Sequence, residues 1–275
     1  MHFVKVHGAG NDFVLLPDLD NKLELHATLV QRLCAPHLGL GADGVIRLAP
    51  PRDGVAADVF MDYWNADGSV AEMCGNGVRC VAKYVADRGL VAGDIVRVDT
   101  RGGVKPVEIV GRDGAGRVER VRVDMGSPVV GKVDWPLEID GETHNVTTLS
   151  MGNPHAVILV SEVADADLES VGRALQDHDA FPDGTNVEMI TVDDRTVVRG
   201  RIWERGVGET MASGTGASAM AAAAHLLGLA ARETRVVLPG GDLDVEWTDS
   251  TLWVTGPAVE VAGGELDQAW LTTTR

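Results

Sequence analysis

The chain has 275 residues, 41 acidic against 24 basic, and a formal charge of −17. That charge repels the phosphate backbone of nucleic acids, so nucleic acid is excluded as a partner, while the length is enough for two cores of ordinary size. The longest apolar run, residues 219–224, stops at His225 and is far too short to cross a bilayer, so no membrane association is expected.

Residues 1–6 go directly into a strand pattern with no leader-like stretch, and three cysteines without paired spacing fit a reducing compartment. A cytoplasmic location is expected. Residues 2–6 and 13–16 predict two strands around the turn Gly8-Ala-Gly-Asn-Asp12, and residues 28–34 predict a short helix ahead of Pro36. Gly39-Leu-Gly-Ala-Asp-Gly44 matches G-x-G-x-x-G, but a dinucleotide loop follows a strand and opens a helix. Here the order is reversed, with a strand at 45–48 after it, so a Rossmann site is not expected.

A strand at 58–63 leads into the polar loop Asn65-Ala-Asp-Gly-Ser69, and an apolar helix begins after Cys74-Gly-Asn-Gly77. Strand-like runs at 95–99, 104–110 and 118–124 follow. The second half holds strand residues in 147–160 around the turn Met151-Gly-Asn-Pro-His155, an amphipathic helix at 168–176, and strands at 186–192 and 196–203. Then comes Ser213-Gly-Thr-Gly216 and a helix over 215–229 that is apolar or small on every side, which requires it to be enclosed by protein. Four more strands centre on Val236, Val245, Val254 and Val259, and residues 265–275 are expected to lie back on the surface.

The halves correspond. Cys74-Gly-Asn-Gly77 and Ser213-Gly-Thr-Gly216 stand 139 positions apart, as do Asn65 and Glu204, while Asn11 and Asn153, and Gly44 and Asn186, stand 142 apart. Correspondences in one order at nearly one spacing argue for a duplicated domain. The fold class expected is α+β: two pseudo-symmetric domains, each a mixed or antiparallel β-sheet rolled as a barrel around a central apolar helix. Residues 1–115 with 260–275 would form one domain and 116–259 the other.

Each glycine-rich loop opens a helix, where free N–H groups and the positive dipole end attract a carboxylate or phosphate. Cys74 at such a start is placed to ionise, although a free cysteine is more often buried and structural, the role expected for Cys34 and Cys80. His155 reads either as an ordinary surface residue or as a group tuning a catalytic neighbour. Arg205 is placed to grip a carboxylate and Glu204 to receive an ammonium. Asn11, Asn65, Asn76, Asn153 and Asn186 all fall at turns inside the repeated segments. No metal is expected, because five residues separate Cys74 from Cys80 and no further ligand pair completes a tetrahedral set. None of the five lysines lies in a pocket motif suited to pyridoxal phosphate.

Asn65-Ala-Asp-Gly-Ser69, Glu72-Met-Cys-Gly-Asn-Gly-Val-Arg-Cys80, Gly152-Asn-Pro-His155 and Glu204-Arg-Gly-Val-Gly-Glu-Thr210 closely resemble the diaminopimelate epimerase family. The resemblance implies a cofactor-independent isomerase that interconverts L,L- and meso-diaminopimelate on the route to lysine and peptidoglycan, with an active-site cleft between the two domains. It implies that Cys74 is one catalytic thiol and that the backbone at Gly75-Asn76 and Gly214-Thr215 holds the reacting carboxylate. Asn11, Asn65, Asn153, Asn186, Glu204 and Arg205 would bind the remainder of the substrate, with His155 and Glu204 adjusting the bases. A homodimer is also expected. The chain departs from the family at Ser213, the position of the second catalytic cysteine, at Ser218, and at Gly44, where some relatives place a substrate-contacting side chain. Ser213 carries the expectation of impaired turnover; a racemase for another amino acid and a non-catalytic amino-acid-binding relative are the alternatives.

Overall fold

The computed structural model describes residues 1–272. It divides into two compact units, Met1–Val123 with the chain from Pro257 onward, and Asp124–Gly256.

In the first unit β1 (His2–Gly8), β2 (Asn11–Pro17), β3 (Gly44–Ala49), β4 (Val59–Asn65), β5 (Ile95–Thr100), β6 (Gly103–Arg112) and β7 (Val118–Gly126) are laid down in sequence order. Successive pairs run antiparallel, parallel, antiparallel, parallel, antiparallel and antiparallel. Two helices cover this sheet on opposite faces. α1 (Ala27–Cys34) packs Leu29, Val30 and Leu33 against Val14, Leu16 and Val45. α2 (Gly75–Asp87) occupies the other face and touches β1, β4, β5 and β6. Strands covered on both faces lose their polar alternation, so residues 13–16 and 44–46 are buried without a break.

The second unit opens with the short β8 (Val129–Val130) and β9 (Trp135–Ile139), both paired with β10 (Glu142–Ser150). β11 (Pro154–Leu159), β12 (Asn186–Asp194), β13 (Val197–Glu204), β14 (Gly208–Thr210), β15 (Glu233–Leu238), β16 (Gly241–Trp247) and β17 (Leu252–Pro257) follow. From β10 the main ladder repeats the first unit's alternation: antiparallel to β11, parallel to β12, antiparallel to β13, parallel to β15, then antiparallel to β16 and β17. α3 (Leu168–Gln176) plays the part of α1, packing Leu168 and Leu175 on Ala156, Ile158, Val187 and Met189. Gly172 permits this closeness, since a Cβ there would lie 2.5 Å from Cγ of Trp203. α4 (Gly214–Leu226) plays the part of α2 and touches β10, β11, β12, β13, β15 and β16. Its alanines are buried on every side, as a helix without a polar face requires.

Register makes the repeat a structural equivalence. Phe13 pairs with Gly44 and Leu15 with Ile46, as His155 pairs with Asn186 and Val157 with Glu188. Val45 pairs with Trp64 as Val187 pairs with Trp203, so Asn65 and Glu204 end equivalent strands.

The chain ends by returning to the first unit. β18 (Val259–Glu265) pairs antiparallel with β1, and α5 (Gln268–Thr272) brings Trp270 under Arg32, whose guanidinium lies 4.5 Å from the ring centroid. The part of the expected terminal surface segment at 273–275 lies outside the described residues. The unit boundaries fall at 123/124 and 256/257 rather than at 115/116 and 259/260. The reason is hydrogen bonding: β7 is the antiparallel partner of β6, and the carbonyl of Pro257 accepts from Nε of Arg79.

Candidate active site

Both loops end in the same local structure. Cys74 is the N-cap of α2 in extended conformation, and its Sγ accepts from the N–H of Gly77 at 3.4 Å. Ser213 caps α4 in the same conformation, with Oγ accepting from Gly216 at 3.2 Å. The first N–H groups of a helix, here those of Gly75 and Asn76 and of Gly214 and Thr215, have no intrahelical acceptor, and with the dipole they make each start attractive to an anion.

In the first unit Cys74 is partly exposed and Cys34 and Cys80 are buried. Burial pushes both buried thiols up to about 12 and leaves them inert. Sγ of Cys74 lies 3.7 Å from Oδ1 of Asn11. That oxygen also accepts from Nδ2 of Asn76 at 3.0 Å, while Nδ2 of Asn11 donates to Asp43 at 2.7 Å. Arg79, fully buried, donates from its Nη2 to Oδ1 of Asn76 at 2.6 Å. A guanidinium can only donate, so it fixes which way the Asn76 amide faces. The helix read as apolar thus contains a buried cation, whose charge is disfavoured by desolvation and supported by Cys80 and Cys74.

In the second unit Oγ of Ser213 lies 3.2 Å from Oγ1 of Thr215, which accepts from Nδ2 of Asn153 at 3.5 Å. Oδ1 of Asn153 is 3.0 Å from Nε2 of His155. His155 is buried, not a surface residue, and its Nδ1 is 2.6 Å from Oε1 of the equally buried Glu188. Ser218 donates back to the helix carbonyl of Gly214 at 2.8 Å, as its equivalent, Arg79, does to that of Gly75 at 3.4 Å.

The remaining expected residues form local pairs. Asn186 donates to the carbonyl of Pro154 and accepts from the backbone N–H of Arg205 at 3.0 Å. The Arg205 side chain is anchored on the Asp183 carbonyl at 2.8 Å, Thr210 donates to Glu204 at 2.6 Å, and Asn65 donates to Ser69 at 2.9 Å. Sequence reasoning missed Asp43, Arg79 and Glu188. Glu188 was detectable as a charge inside an otherwise apolar strand run, and Arg79 as a charge flanked by Val78 and Cys80 in the helix. Gly44 is explained by space: a Cβ there would lie 2.5 Å from the Trp64 carbonyl oxygen and 2.6 Å from Tyr63. Among the described residues no group of three or more His, Cys, Asp or Glu is placed to hold a metal, and no helix is long and apolar enough to cross a membrane.

Two β units of like topology, each enclosing a capped helix, define the fold class. It is shared with a hydroxyproline epimerase from Agrobacterium vitis (TM-score 0.72, 17% identity, 97% of this chain and 90% of that one). It is shared also with a probable proline racemase from Agrobacterium radiobacter (TM-score 0.71, 18% identity, 97% and 93%). At these identities the likeness is one of fold alone. The particular family is set by sequence. The model of the family described as diaminopimelate epimerase matches residues 3–131 and 147–265. Diaminopimelate epimerases of Moorella thermoacetica and Acetivibrio thermocellus are 45% and 41% identical, over 96% and 97% of this chain and 99% of each relative. The chain belongs to the diaminopimelate epimerase family and is an isomerase.

Proposed function

We propose that this enzyme interconverts L,L- and meso-diaminopimelate by proton transfer at the α-carbon, with Cys74 and residue 213 as the two acid–base groups. The observation that carries the reading is the matched pair of N-caps, Cys74 on α2 and Ser213 on α4. Inverting an α-carbon without an electron sink needs a base for one face, an acid for the other, and donors for the carboxylate as it takes up carbanion charge. A helix start supplies such donors, and a side chain at its cap is held beside them. Asn11, Asn65, Asn153, Asn186, Glu204 and Arg205 bind the rest of the substrate, and His155 and Glu204 tune the bases. Near-full-length similarity to diaminopimelate epimerases supports this substrate over another amino acid.

Ser213 makes the reaction unequal. A serine hydroxyl is a far weaker acid than a thiol and rarely ionises without an adjacent base. Cys74 retains abstraction from the face it addresses, assigned by family resemblance to the D-configured centre, while Ser213 limits net epimerisation. Solvent-deuterium exchange followed by NMR tests this. Exchange is expected at the D centre of meso-diaminopimelate and nearly absent from the L,L isomer. Ser213→Cys should raise epimerisation by about a hundredfold or more. A folded Ser213→Cys enzyme that binds diaminopimelate without gaining turnover would sink the two-base assignment.

A further inference from the structure

Register places Phe13 and Ile46 of the first unit opposite the same helix face as His155 and Glu188 of the second. The close approaches agree: a Cβ on Gly77 would meet Cδ1 of Ile46 at 3.1 Å, and one on Gly216 would meet Oε1 of Glu188 at 3.3 Å. Where the first unit has an apolar pair beneath its capped helix, the second therefore has an ionisable pair with no exposed surface.

Three facts set the charge of that pair. Oε2 of Glu188 meets no hydrogen-bond partner among the described residues. Burial raises the Glu188 carboxyl, and among the described residues the contact that opposes the rise is the one with His155. The nearby N–H of Gly216 is already taken by Ser213. A lone negative charge here would be expensive, which favours a net-neutral pair, and because a proton on Oε2 would meet no acceptor among the described residues, the two protons of that pair fall on Oε1, Nδ1 and Nε2. Whichever partner holds the proton between Oε1 and Nδ1, the second sits on Nε2. Nε2–H must then face an acceptor, Oδ1 of Asn153, and the amide NH2 faces Thr215. With its oxygen accepting from Asn153, Thr215 keeps its hydroxyl proton available for Oγ of Ser213, 3.2 Å away.

We propose that Glu188 is a positioning residue: with His155 it forms a net-neutral, two-proton pair that keeps Nε2 protonated and turns Asn153 and Thr215 so that a chain of donors ends on the side-chain atom of residue 213. In the first unit Arg79 has the corresponding task, orienting Asn76. The consequence for catalysis rests on the proposed function. A donor aimed at residue 213 stabilises negative charge on it after it gives up a proton, and leaves its own proton directed away from Thr215.

The charge state is read without ligand from long-range proton–nitrogen correlation spectra of the histidine rings, with His155 assigned by its loss in His155→Gln. Nε2 is expected to carry a proton, and the Nδ1 position a strongly hydrogen-bonded one. A wild-type His155 protonated on Nδ1 alone overturns the proposal, since Glu188 would then be an ionised acceptor and the amide would face the other way. Glu188→Gln can donate to Nδ1 through its amide and should keep Nε2–H, with diaminopimelate binding within about threefold of wild type. Glu188→Met should lose the Nδ1 bond and weaken binding about tenfold or more. A folded Glu188→Met protein with wild-type affinity counts against the positioning role; if that variant does not fold, the wild-type spectrum and Glu188→Gln still decide. Failure of the wild-type protein to bind diaminopimelate overturns the substrate assignment instead, and leaves the spectral result standing.

Discussion

The three cysteines show how position decides reactivity. Cys34 and Cys80 lie in apolar surroundings and stay protonated far above neutral pH, whereas Cys74 is partly exposed at a helix start with the Arg79 charge nearby. One equivalent of iodoacetamide is therefore expected to label Cys74 alone in the folded protein at pH 8, with peptide mass spectrometry as the readout. Labelling of Cys80 at a comparable rate would contradict its burial. Arg79→Met removes a cation that favours the thiolate, so the pH midpoint of Cys74 alkylation should move upward. It also removes the bonds that Arg79 donates to the side-chain oxygen of Asn76 and the carbonyl of Pro257, which should cost about 2–4 kcal/mol in urea unfolding. A midpoint that stays in place would remove Arg79 from the electrostatics of the thiol.

At the scale of elements, each central helix depends on its cap and on the glycines around it. Serine is among the best N-cap residues and a thiol is a weak acceptor, so Ser213 favours the stability of α4, while in the proposed two-base reaction it would disfavour proton transfer. Ser213→Cys should lower stability by up to about 1 kcal/mol while raising turnover. A more stable and more active variant would show that the cap bond contributes nothing. Gly44 obeys a different constraint, because the atom nearest a new Cβ is a backbone oxygen of the paired strand and cannot swing aside. Gly44→Ala is expected to destabilise by about 2 kcal/mol or more through displacement of β4, measurable as a shift in the denaturation midpoint. Wild-type stability would show that the strand pair yields without cost.

For the molecule as a whole, the duplicated topology gives each unit its own enclosed helix, and the first unit is completed only when the chain returns as β18. That strand pairs with β1 from His2↔Glu265 to His7↔Val259, and Pro257 accepts from the buried Arg79. Truncation after Gly256 should therefore speed amide exchange in β1 and α2 while leaving α4 protected. Equal loss of protection in α4 would mean that the two units do not hold their cores independently.

Sequence alone determined the features that depend on local chemistry and on the repeat. Glycine-rich loops at helix starts marked Cys74 and Ser213, the all-apolar run marked α4 as enclosed, and the even spacing of the motifs marked the duplication. Long, specific motifs also carried the family. Other features depended on partners distant in sequence. The short β8 and β9 were not legible because residues 127–141 carry Pro, Gly and charge at strand positions, and only pairing with β10 makes them strands. Arg79 and Glu188 stand in the sequence as charges in apolar surroundings, which identifies them as unusual but gives them no partner. Their partners come from parallel strand pairing and helix enclosure. Glu188 meets His155 across the β11–β12 ladder, 33 residues away, and Arg79 meets Pro257 across 178. A buried charge acquires its state and its orientation only from the groups that surround it, and tertiary structure supplies those groups.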